Sequence, residues 1–410
     1  MHLLAARPGT IADGSAAVDL KQTPGEIVVL SAADTELACL AEAHRRQGDP
    51  QTPSLRLANL LFLGHNLSVD LYLENVAQHA RLVVARLLGG ERYWPYGVEQ
   101  LAGLARERNI ALALLPGDER PDPELARRST LPAEALERLW RYLVEGGIEN
   151  AGQMLDYAAS LIGYERDWRE PRPLLRAGLY WPDSPEPDLA AIRAQWCEGR
   201  PRALIVFYRA LLQAGQMEAI DGLIRALDQA GLDALPVHAA SLKEPMAAAL
   251  IETLIAEVRP DVILNATAFA LSQPGATRTE TPFDAADCPV LQVVLASSGE
   301  AEWREGTRGL SARDIAMHVA LPELDGRVLT RAVAFKAEAR RDEATQCGIV
   351  AQRPVPDRLA FVAELAAGWA RLKRTPAAER RVALILANYP NRDGRIGNGV
   401  GLDTPASAAG

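Results

Sequence analysis

The sequence predicts an α/β protein of two lobes, each with a mostly parallel sheet flanked by helices in Rossmann-like or flavodoxin-like units. Short apolar runs of strand length alternate with helix-length amphipathic segments along the whole chain, which is typical of parallel sheets covered by helices. At 410 residues the chain is long enough for two or three domains. A proline-rich break divides the pattern, so we place an N-terminal α/β domain at residues 1–163, a linker at 164–200 and a second α/β domain at 201–410.

The first domain alternates apolar strand-like runs with segments of helical periodicity. Asp34 is expected to cap the first helix, and Gly48 is expected to end it. The predicted strands are His2–Ala6, Glu26–Ser31, Leu55–Leu60, Leu82–Leu87 and Ile110–Leu115, and the predicted helices are Asp34–Arg46, Val69–His79, Val98–Arg108, Ala133–Val144 and Ile148–Gly163.

Five prolines among charged residues between Tyr164 and Asp188 predict an irregular crossing from one domain to the other. The alternating pattern then resumes near Arg202. The predicted strands of the second domain are Ala203–Phe207, Ala234–Val237, Asp261–Leu264, Pro289–Leu295, Val328–Phe335 and Val382–Leu386, with helices at Met217–Ala230, Pro245–Val258 and Asp357–Lys373.

Composition excludes several classes of protein. The net charge of −9 argues against a nucleic-acid partner, which would face a basic surface. No run approaches the roughly 18–20 apolar residues that span a bilayer, and the N-terminus lacks the pattern of a secretory signal. The scattered cysteines, Cys39, Cys197, Cys288 and Cys347, form no CxxC pair and are expected to be reduced. These features predict a cytoplasmic protein without a membrane span.

Polar residues follow several strands of the predicted second sheet. In an open α/β sheet, ligands bind beyond the carboxyl ends of the strands. The residues expected to bind substrate there are Tyr208, Asn265, Asn388 and Arg392. Hydroxyl, amide and guanidinium groups suit a ligand that carries carboxylates and carboxamides. The alternative is that these are capping and turn residues, since such types are common in loops.

A second set of candidates is His318, Glu323 and Asp325 in the segment AMHVALPELDG. Imidazole and carboxylate groups can bind a divalent transition ion, and a carboxylate can act as a base. We therefore assign His318 and Glu323 as candidate metal ligands, and Glu323 and Asp325 as candidate catalytic residues. The spacing matches no standard metal motif, and Pro322 is expected to interrupt any helix, so a pair of loop carboxylates beside a half-buried histidine is the alternative.

Nucleotide-binding motifs are missing from the sequence. No GxxxxGK[ST] loop is present, and the glycines between residues 394 and 401 do not form GxGxxG. We therefore expect no ATP site of these kinds on this chain.

Many segments together carry a resemblance to a known family. They include LSAADTELACLA, SVDLYLENVAQHARLVVARLLGG, YWPYG, LALLPGDERPDPEL, FYRALL, SLKEP, PDVILNATAFA, VLQVVLASS, HVALPELDGR and NYPNRDGRIGNGVGLDTPAS. In this order they resemble the N-terminal portion of the large subunit of aerobic cobaltochelatase, a relative of the magnesium chelatase large subunit. The resemblance covers essentially the whole chain.

The resemblance implies a function. The family's enzyme inserts Co²⁺, its substrate metal, into the corrinoid precursor hydrogenobyrinic acid a,c-diamide during aerobic cobalamin biosynthesis. Two partner subunits of AAA+ type hydrolyse ATP with Mg²⁺, and the tetrapyrrole is held by the large subunit. Because the family's subunit is several times longer, we expect the natural protein to continue past Gly410 and this chain to be inactive alone. The alternatives are a non-catalytic two-lobe tetrapyrrole-binding or scaffold protein, and a magnesium chelatase large subunit acting on protoporphyrin IX.

Overall fold

The computed structural model describes residues 17–48, 52–184, 186–336, 340–385 and 403–409. Its first sheet has four parallel strands in the order β2-β1-β3-β4. They are β1 (Ile27–Ser31), β2 (Leu55–Asn59), β3 (Leu82–Leu87) and β4 (Ala111–Pro116), close to the predicted runs. The predicted strand His2–Ala6 lies outside the described residues.

Helices cover both faces of the first sheet, which explains why its strands are apolar almost throughout. One face packs against α1, α5 and α6, and the other against α2, α3 and α4. These helices are α1 (Asp34–Gln47), α2 (Asn66–Asn75), α3 (Pro95–Arg108), α4 (Pro123–Arg128), α5 (Ala133–Glu145) and α6 (Ile148–Leu161). We call this three-layer unit, residues 27–161, the first lobe.

The second sheet has seven strands in the order β13-β10-β9-β8-β6-β7-β5. The five inner strands are parallel, and the two edge strands, β5 and β13, are antiparallel to their neighbours. The strands are β5 (Ala177–Leu179), β6 (Arg202–Tyr208), β7 (Asp233–Ala239), β8 (Val262–Asn265), β9 (Val290–Leu295), β10 (Val328–Lys336) and β13 (Gln352–Pro354). A separate hairpin consists of β11 (Arg340–Asp342) and β12 (Cys347–Ile349).

Helices also cover both faces of the second sheet. The helices of this part of the chain are α7 (Leu189–Arg193), α8 (Arg209–Gln213), α9 (Glu218–Gln229), α10 (Pro245–Val258), α11 (Glu300–Glu305), α12 (Ala312–Ile315), α13 (Leu321–Glu323), α14 (Pro356–Arg374) and α15 (Thr404–Ala409). A π-helical turn, Ala316–Ala320, joins α12 to α13. We call residues 177–374, without the hairpin, the second lobe. No helix in the described residues is long and apolar enough to cross a membrane.

Two local predictions were wrong or incomplete. The proposed linker is irregular only at first, because β5 and α7 within it belong to the second lobe. Gly178 allows β5 to lie close to β7, since a Cβ there would come within 2.9 Å of Nε2 of His238. Ala33, not Asp34, occupies the N-cap of α1, and Asp34 is the first helical residue. Gly48 ends that helix in the left-handed conformation, as predicted.

The predicted strand Val382–Leu386 is not a strand over its described part, residues 382–385. The side chains there are exposed, with relative exposures of 88% for Val382 and 90% for Ile385. An apolar run forms a strand only where a neighbouring strand can pair with it. The antiparallel β13 already pairs with β10 at Ala334–Lys336, on the outer edge of the sheet.

The carboxyl edges of the two sheets face each other. Lys336, which ends β10, forms an ion pair of 3.1 Å with Asp34, which follows β1. Gln213, beyond the carboxyl end of β6, donates to the carbonyl oxygens of Val144 and Glu145, at 3.1 and 3.2 Å. The two lobes therefore contact each other at the edges where α/β proteins bind ligands.

The β11–β12 hairpin extends from the second lobe onto the first. The backbone N–H of Leu57 donates to the carbonyl of Thr345 at 3.2 Å, and Cys347 is buried in the core around α1. The guanidinium of Arg56 donates to the carbonyl of Ala344 at 3.2 Å. The hairpin thus holds the lobes together beside β2.

Candidate functional site

Tyr208 and Asn265 lie together at the carboxyl edge of the second sheet. They end the neighbouring parallel strands β6 and β8, in which Val206 pairs with Asn265. The Tyr208 hydroxyl donates to the carbonyl of Ala268 at 3.0 Å, and burial raises the pKa of this phenol. The structure therefore brings these two predicted residues to the same carboxyl edge of the second sheet, which we call the rim.

Asn265 is buried inside the rim, with a relative exposure of 0%. Its Nδ2 donates to Oε1 of Gln292 at 2.9 Å and to the carbonyl of Thr267 at 3.1 Å. Its Oδ1 accepts from the hydroxyl of Thr267 at 2.9 Å. Asn265 thus shapes the loop that follows β8 instead of facing a ligand.

Asp325 is part of the same buried network. It forms an ion pair of 2.8 Å with Arg327, and both side chains are at most 1% exposed. Its carboxylate also accepts from the backbone N–H groups of Leu271 and Ser272, at 2.9 and 3.0 Å. Asp325 therefore holds the loop after β8 in place, and its candidate role as a base stays a prediction without support from this geometry.

His318 lies in the π-helical turn, which the sequence did not predict. Pro322 was expected to interrupt a helix, yet residues 312–323 are helical throughout. Proline lacks the N–H of the ordinary helical hydrogen bond and clashes with the carbonyl four residues back. A π turn widens the helix at that point, and such turns are frequent at functional sites.

The π turn sits at the rim of the second sheet. The backbone N–H of Phe269, beyond β8, donates to the carbonyl of Met317 at 2.8 Å. Burial lowers the pKa of His318 and so favours the neutral imidazole, while the neighbouring Asp314 carboxylate acts in the opposite direction. Its buried Nδ1 has no hydrogen-bond partner in the described part of the chain. A neutral imidazole with a buried ring nitrogen is the form that can accept a proton or bind a metal.

Glu323 ends α13 and is exposed. Among the described residues, no group of three or more His, Cys, Asp or Glu side chains could hold a metal ion. His318 and Glu323 alone do not make a complete site. Their assignment as metal ligands and the assignment of Glu323 as a base therefore stay predictions.

Asn388 and Arg392 lie outside the described residues, so their binding role also stays a prediction. The structure adds Gln292 and Arg327 to the rim, which sequence reasoning missed. Each had a signal: Gln292 is the single polar residue in the strand VLQVVL, and Arg327 follows the candidate Asp325 by two residues. Buried polar side chains need hydrogen-bond partners, and here Arg327 donates to both Gln292 and Asp325.

His238, at the carboxyl end of β7, is a further buried polar residue of this edge, 3% exposed. Burial lowers the pKa of His238 to about 4, and the charge of Arg209 acts in the same direction. Its Nδ1 has no partner among the residues that the structure describes. This imidazole is neutral at physiological pH.

The fold and the rim define a two-lobed α/β protein whose buried polar residues collect at the carboxyl edges of parallel sheets. The CobN/Magnesium Chelatase family model matches residues 140–410. The chain belongs to the CobN/magnesium chelatase family.

Relatives show which branch of the family the chain resembles. The aerobic cobaltochelatase subunit CobN of a Sinorhizobium species is 48% identical over 415 residues, covering 99% of this chain and 32% of the relative. The protein of the same name from Pseudomonas aeruginosa is 48% identical over 409 residues, with coverages of 100% and 32%. The magnesium-chelatase H subunit of Rhodobacter capsulatus is more distant, 26% identical over 297 residues, with coverages of 65% and 24%.

A solved structure has the same fold. The catalytic subunit of cobaltochelatase from Mycobacterium tuberculosis superposes with a TM-score of 0.71 at 29% identity, covering 93% of this chain and 30% of that one. The chain is thus homologous to the N-terminal part of CobN and spans about a third of the length of these relatives.

Proposed function

We propose that this chain is the N-terminal, tetrapyrrole-holding part of the large subunit of a cobaltochelatase. The observation that carries the proposal is the opposition of the two carboxyl edges, which the ion pair between Lys336 and Asp34 joins. We place the macrocycle between these edges, in a space that we call the cleft, where it would contact both sheets at the edges where α/β proteins bind ligands. The relatives' names supply the reaction class, and the cleft supplies a place for the macrocycle.

The proposed substrate is the corrinoid precursor hydrogenobyrinic acid a,c-diamide, and Co²⁺ is the metal inserted. The carboxylate and carboxamide arms of this precursor need hydrogen-bond donors and acceptors, which Tyr208 and Arg392 would supply. A guanidinium can hold a carboxylate through two parallel hydrogen bonds. The 48% identity to CobN supports the cobalt enzyme over the magnesium enzyme and its protoporphyrin IX, since the magnesium-chelatase relative is 26% identical.

We assign energy coupling to partner chains. The sequence has no phosphate-binding P-loop, so ATP with Mg²⁺ would be hydrolysed by two AAA+-type subunits. Removal of pyrrolic protons needs a base near the metal, and the exposed carboxylate of Glu323 and the neutral imidazole of His318 are the candidates in this chain. The complex would work in the cytoplasm.

Binding of the diamide to the purified chain tests this proposal. We expect saturable quenching of tryptophan fluorescence, and a weaker affinity by about tenfold for Arg392→Ala, since one charged hydrogen-bonding group is lost. Arg45→Ala, on the exposed face of α1, is the matched control and should leave the affinity unchanged. Absence of saturable binding to the unmodified chain would contradict the proposal.

A further inference from the structure

A small pocket lies at the carboxyl edge of the first sheet, where the strand order changes direction. From β1 the chain goes to β2 on one side and then to β3 on the other, and ligands of doubly wound sheets bind at such switch points. The pocket encloses space for about one water molecule, and the roughly 230 Å³ of empty space in and around it includes open solvent. It is lined by Ser31, Ala32, Ala33, Glu36, Arg86, Leu88 and Gly117.

One cation and one anion meet at the bottom of this pocket. Arg86 is in β3 and is 4% exposed, which is unusual for an arginine in an apolar strand. Its guanidinium pairs with the carboxylate of Glu36 and donates to the carbonyl oxygens of Pro116, Gly117 and Leu143. The Ser31 hydroxyl donates to Glu36 Oε2 at 2.7 Å. These contacts fix the orientation of both side chains, and the two charges together sum to zero.

The walls of the pocket are short and rigid. Ala32 and Ala33 contribute no side chain beyond Cβ, and a Cβ on Gly117 would come within 2.5 Å of the Cα of Leu88. The backbone after β4 and the backbone after β3 are thus in close contact. The pocket therefore takes only the tip of a small polar group, which enters from its open side.

One residue of the pocket is adjacent in sequence to the bridge between the lobes. Asp34, which pairs with Lys336 of the second lobe, directly follows the pocket residue Ala33. A ligand held at the rim of the second sheet could therefore place one of its arms in this pocket.

We propose that the pocket binds a primary carboxamide, the amide arm of the macrocycle; this inference rests on the proposed function. The amide NH₂ would donate to the carboxylate of Glu36, and its carbonyl would accept from the guanidinium of Arg86. A carboxylate arm would be repelled by Glu36, and an ammonium group by Arg86. The pocket would thus distinguish an amidated arm from the free acid.

Binding of the diamide and of the corresponding diacid to three variants tests the pocket. Glu36→Gln removes the negative charge that excludes a carboxylate, and Ala33→Leu fills the pocket while leaving the ion pair intact. Glu42→Gln, on the same helix but paired with exposed arginines, is the matched control. We expect the unmodified chain to prefer the diamide by about tenfold or more, as loss of a charged hydrogen bond predicts.

The preference for the diamide over the diacid should fall to about onefold to threefold in Glu36→Gln. Ala33→Leu should weaken diamide binding by about tenfold, and Glu42→Gln should match the unmodified chain. Equal preferences in all variants would overturn the pocket assignment and leave the proposed function standing.

A small probe separates failure of this assignment from failure of the proposed function. Acetamide should shift the amide NMR signals of Ala33 and Gly117 in the unmodified chain, whereas acetate and methylammonium should not. If no macrocycle binds but acetamide does, the proposed function fails and the pocket assignment stands. If acetate shifts these signals as strongly as acetamide, the carboxamide assignment is wrong.

Discussion

Glu323 and Asp325 are two residues apart, yet their surroundings differ sharply. Asp325 is buried against Arg327 and two backbone N–H groups, whereas Glu323 is exposed. We predict that Asp325→Asn lowers the free energy of unfolding by about 3 kcal/mol, because it leaves a buried arginine without its counter-charge. Glu323→Gln should change it by less than about 0.5 kcal/mol. Urea denaturation of both variants measures this, and equal small losses would show that the buried pair does not hold the rim.

Glu323 and Arg392 should affect two different quantities, the rate of chelation and the binding of the macrocycle. In the complete, partner-supplied enzyme, Glu323→Gln should lower the rate of chelation far more than it weakens substrate binding, as loss of a base or metal ligand does. Arg392→Ala should mainly weaken binding. The measurements are the chelation rate and the dissociation constant of the macrocycle. Small and equal effects of both changes on both quantities would mean that these residues only shape loops.

His238 should make stability depend on pH. Its folded pKa of about 4 is below the value of about 6.5 in an unfolded chain, so protonation favours unfolding. The stabilisation is complete above pH 6.5 and is lost as the pH falls towards 4. Between pH 7 and pH 5 this single group should lower the free energy of unfolding by about 2 kcal/mol.

Comparison of two histidine variants isolates that effect. His238→Gln should remove about 2 kcal/mol of the difference in unfolding free energy between pH 7 and pH 5. His79→Gln, at an exposed position, is the control and should leave the difference unchanged. An unchanged pH dependence in His238→Gln would show that this imidazole is not the group that titrates.

At the scale of single elements, the sequence predicts most strands and helices because their periodicity is local. The run Leu82–Leu87 is a strand with the predicted bounds, and Pro245–Val258 is a helix with the predicted bounds. The π turn could not be predicted, since it depends on how the helix accommodates Pro322 against the loop at Phe269. Residues 382–385 have a strand-like sequence but pair with no strand in the described part of the chain, so the local pattern alone was misleading.

The edge strands and the hairpin were missed because they are short. Strand β5 has three residues, one of them Gly178, and no apolar run marks it. The hairpin Arg340–Ile349 carries charged and polar residues, and its position on the first lobe depends on Arg56, far away in sequence. Contacts of this kind are set by tertiary packing and leave no periodic signal.

The attachment of this hairpin can be tested through Cys347. Burial raises the pKa of Cys347 to about 12, so its thiol should react slowly unless the hairpin opens. Arg56→Gln removes the hydrogen bond to the carbonyl of Ala344 and should speed labelling of Cys347 about tenfold, as loss of about 1.4 kcal/mol of local stability predicts. Mass spectrometry after pulsed alkylation measures the rate. Labelling of Cys288, in the second lobe, should be unchanged, and acceleration at both cysteines would indicate global unfolding instead.

At the scale of the whole molecule, one general rule about parallel sheets predicted that Tyr208 and Asn265 lie at the same edge, as they do in the structure. That rule said nothing of how two sheets face each other. The opposition of the carboxyl edges rests on side chains such as Lys336 and Gln213, whose partners lie in the other lobe. Their sequence context is ordinary, so no motif marks them. The pocket around Arg86 was missed for the same reason, although an arginine inside the strand LVVARL was a usable signal.

Closure of the cleft should depend on the bridge between Lys336 and Asp34. Both side chains are mostly buried, with exposures of 19% and 9%, so their attraction is screened less than that of a surface pair. We predict that Lys336→Gln weakens macrocycle binding about fivefold, equivalent to about 1 kcal/mol, because the two edges no longer approach each other reliably. Lys243→Gln, an exposed lysine of the same lobe, is the control.

Exchange of the two charges tells whether the bridge itself is responsible. The double variant Asp34→Lys with Lys336→Asp should recover part of the affinity lost in each single variant, because opposite charges again face each other across the cleft. It should also restore the compact radius of gyration measured by small-angle scattering. Asp34 accepts a second hydrogen bond, of 2.7 Å, from Nδ2 of Asn59, which a lysine cannot replace, so recovery should be incomplete. If the double variant binds no better than the worse single variant, the ion pair does not close the lobes, and the hairpin on β2 would be the contact that sets the width of the cleft.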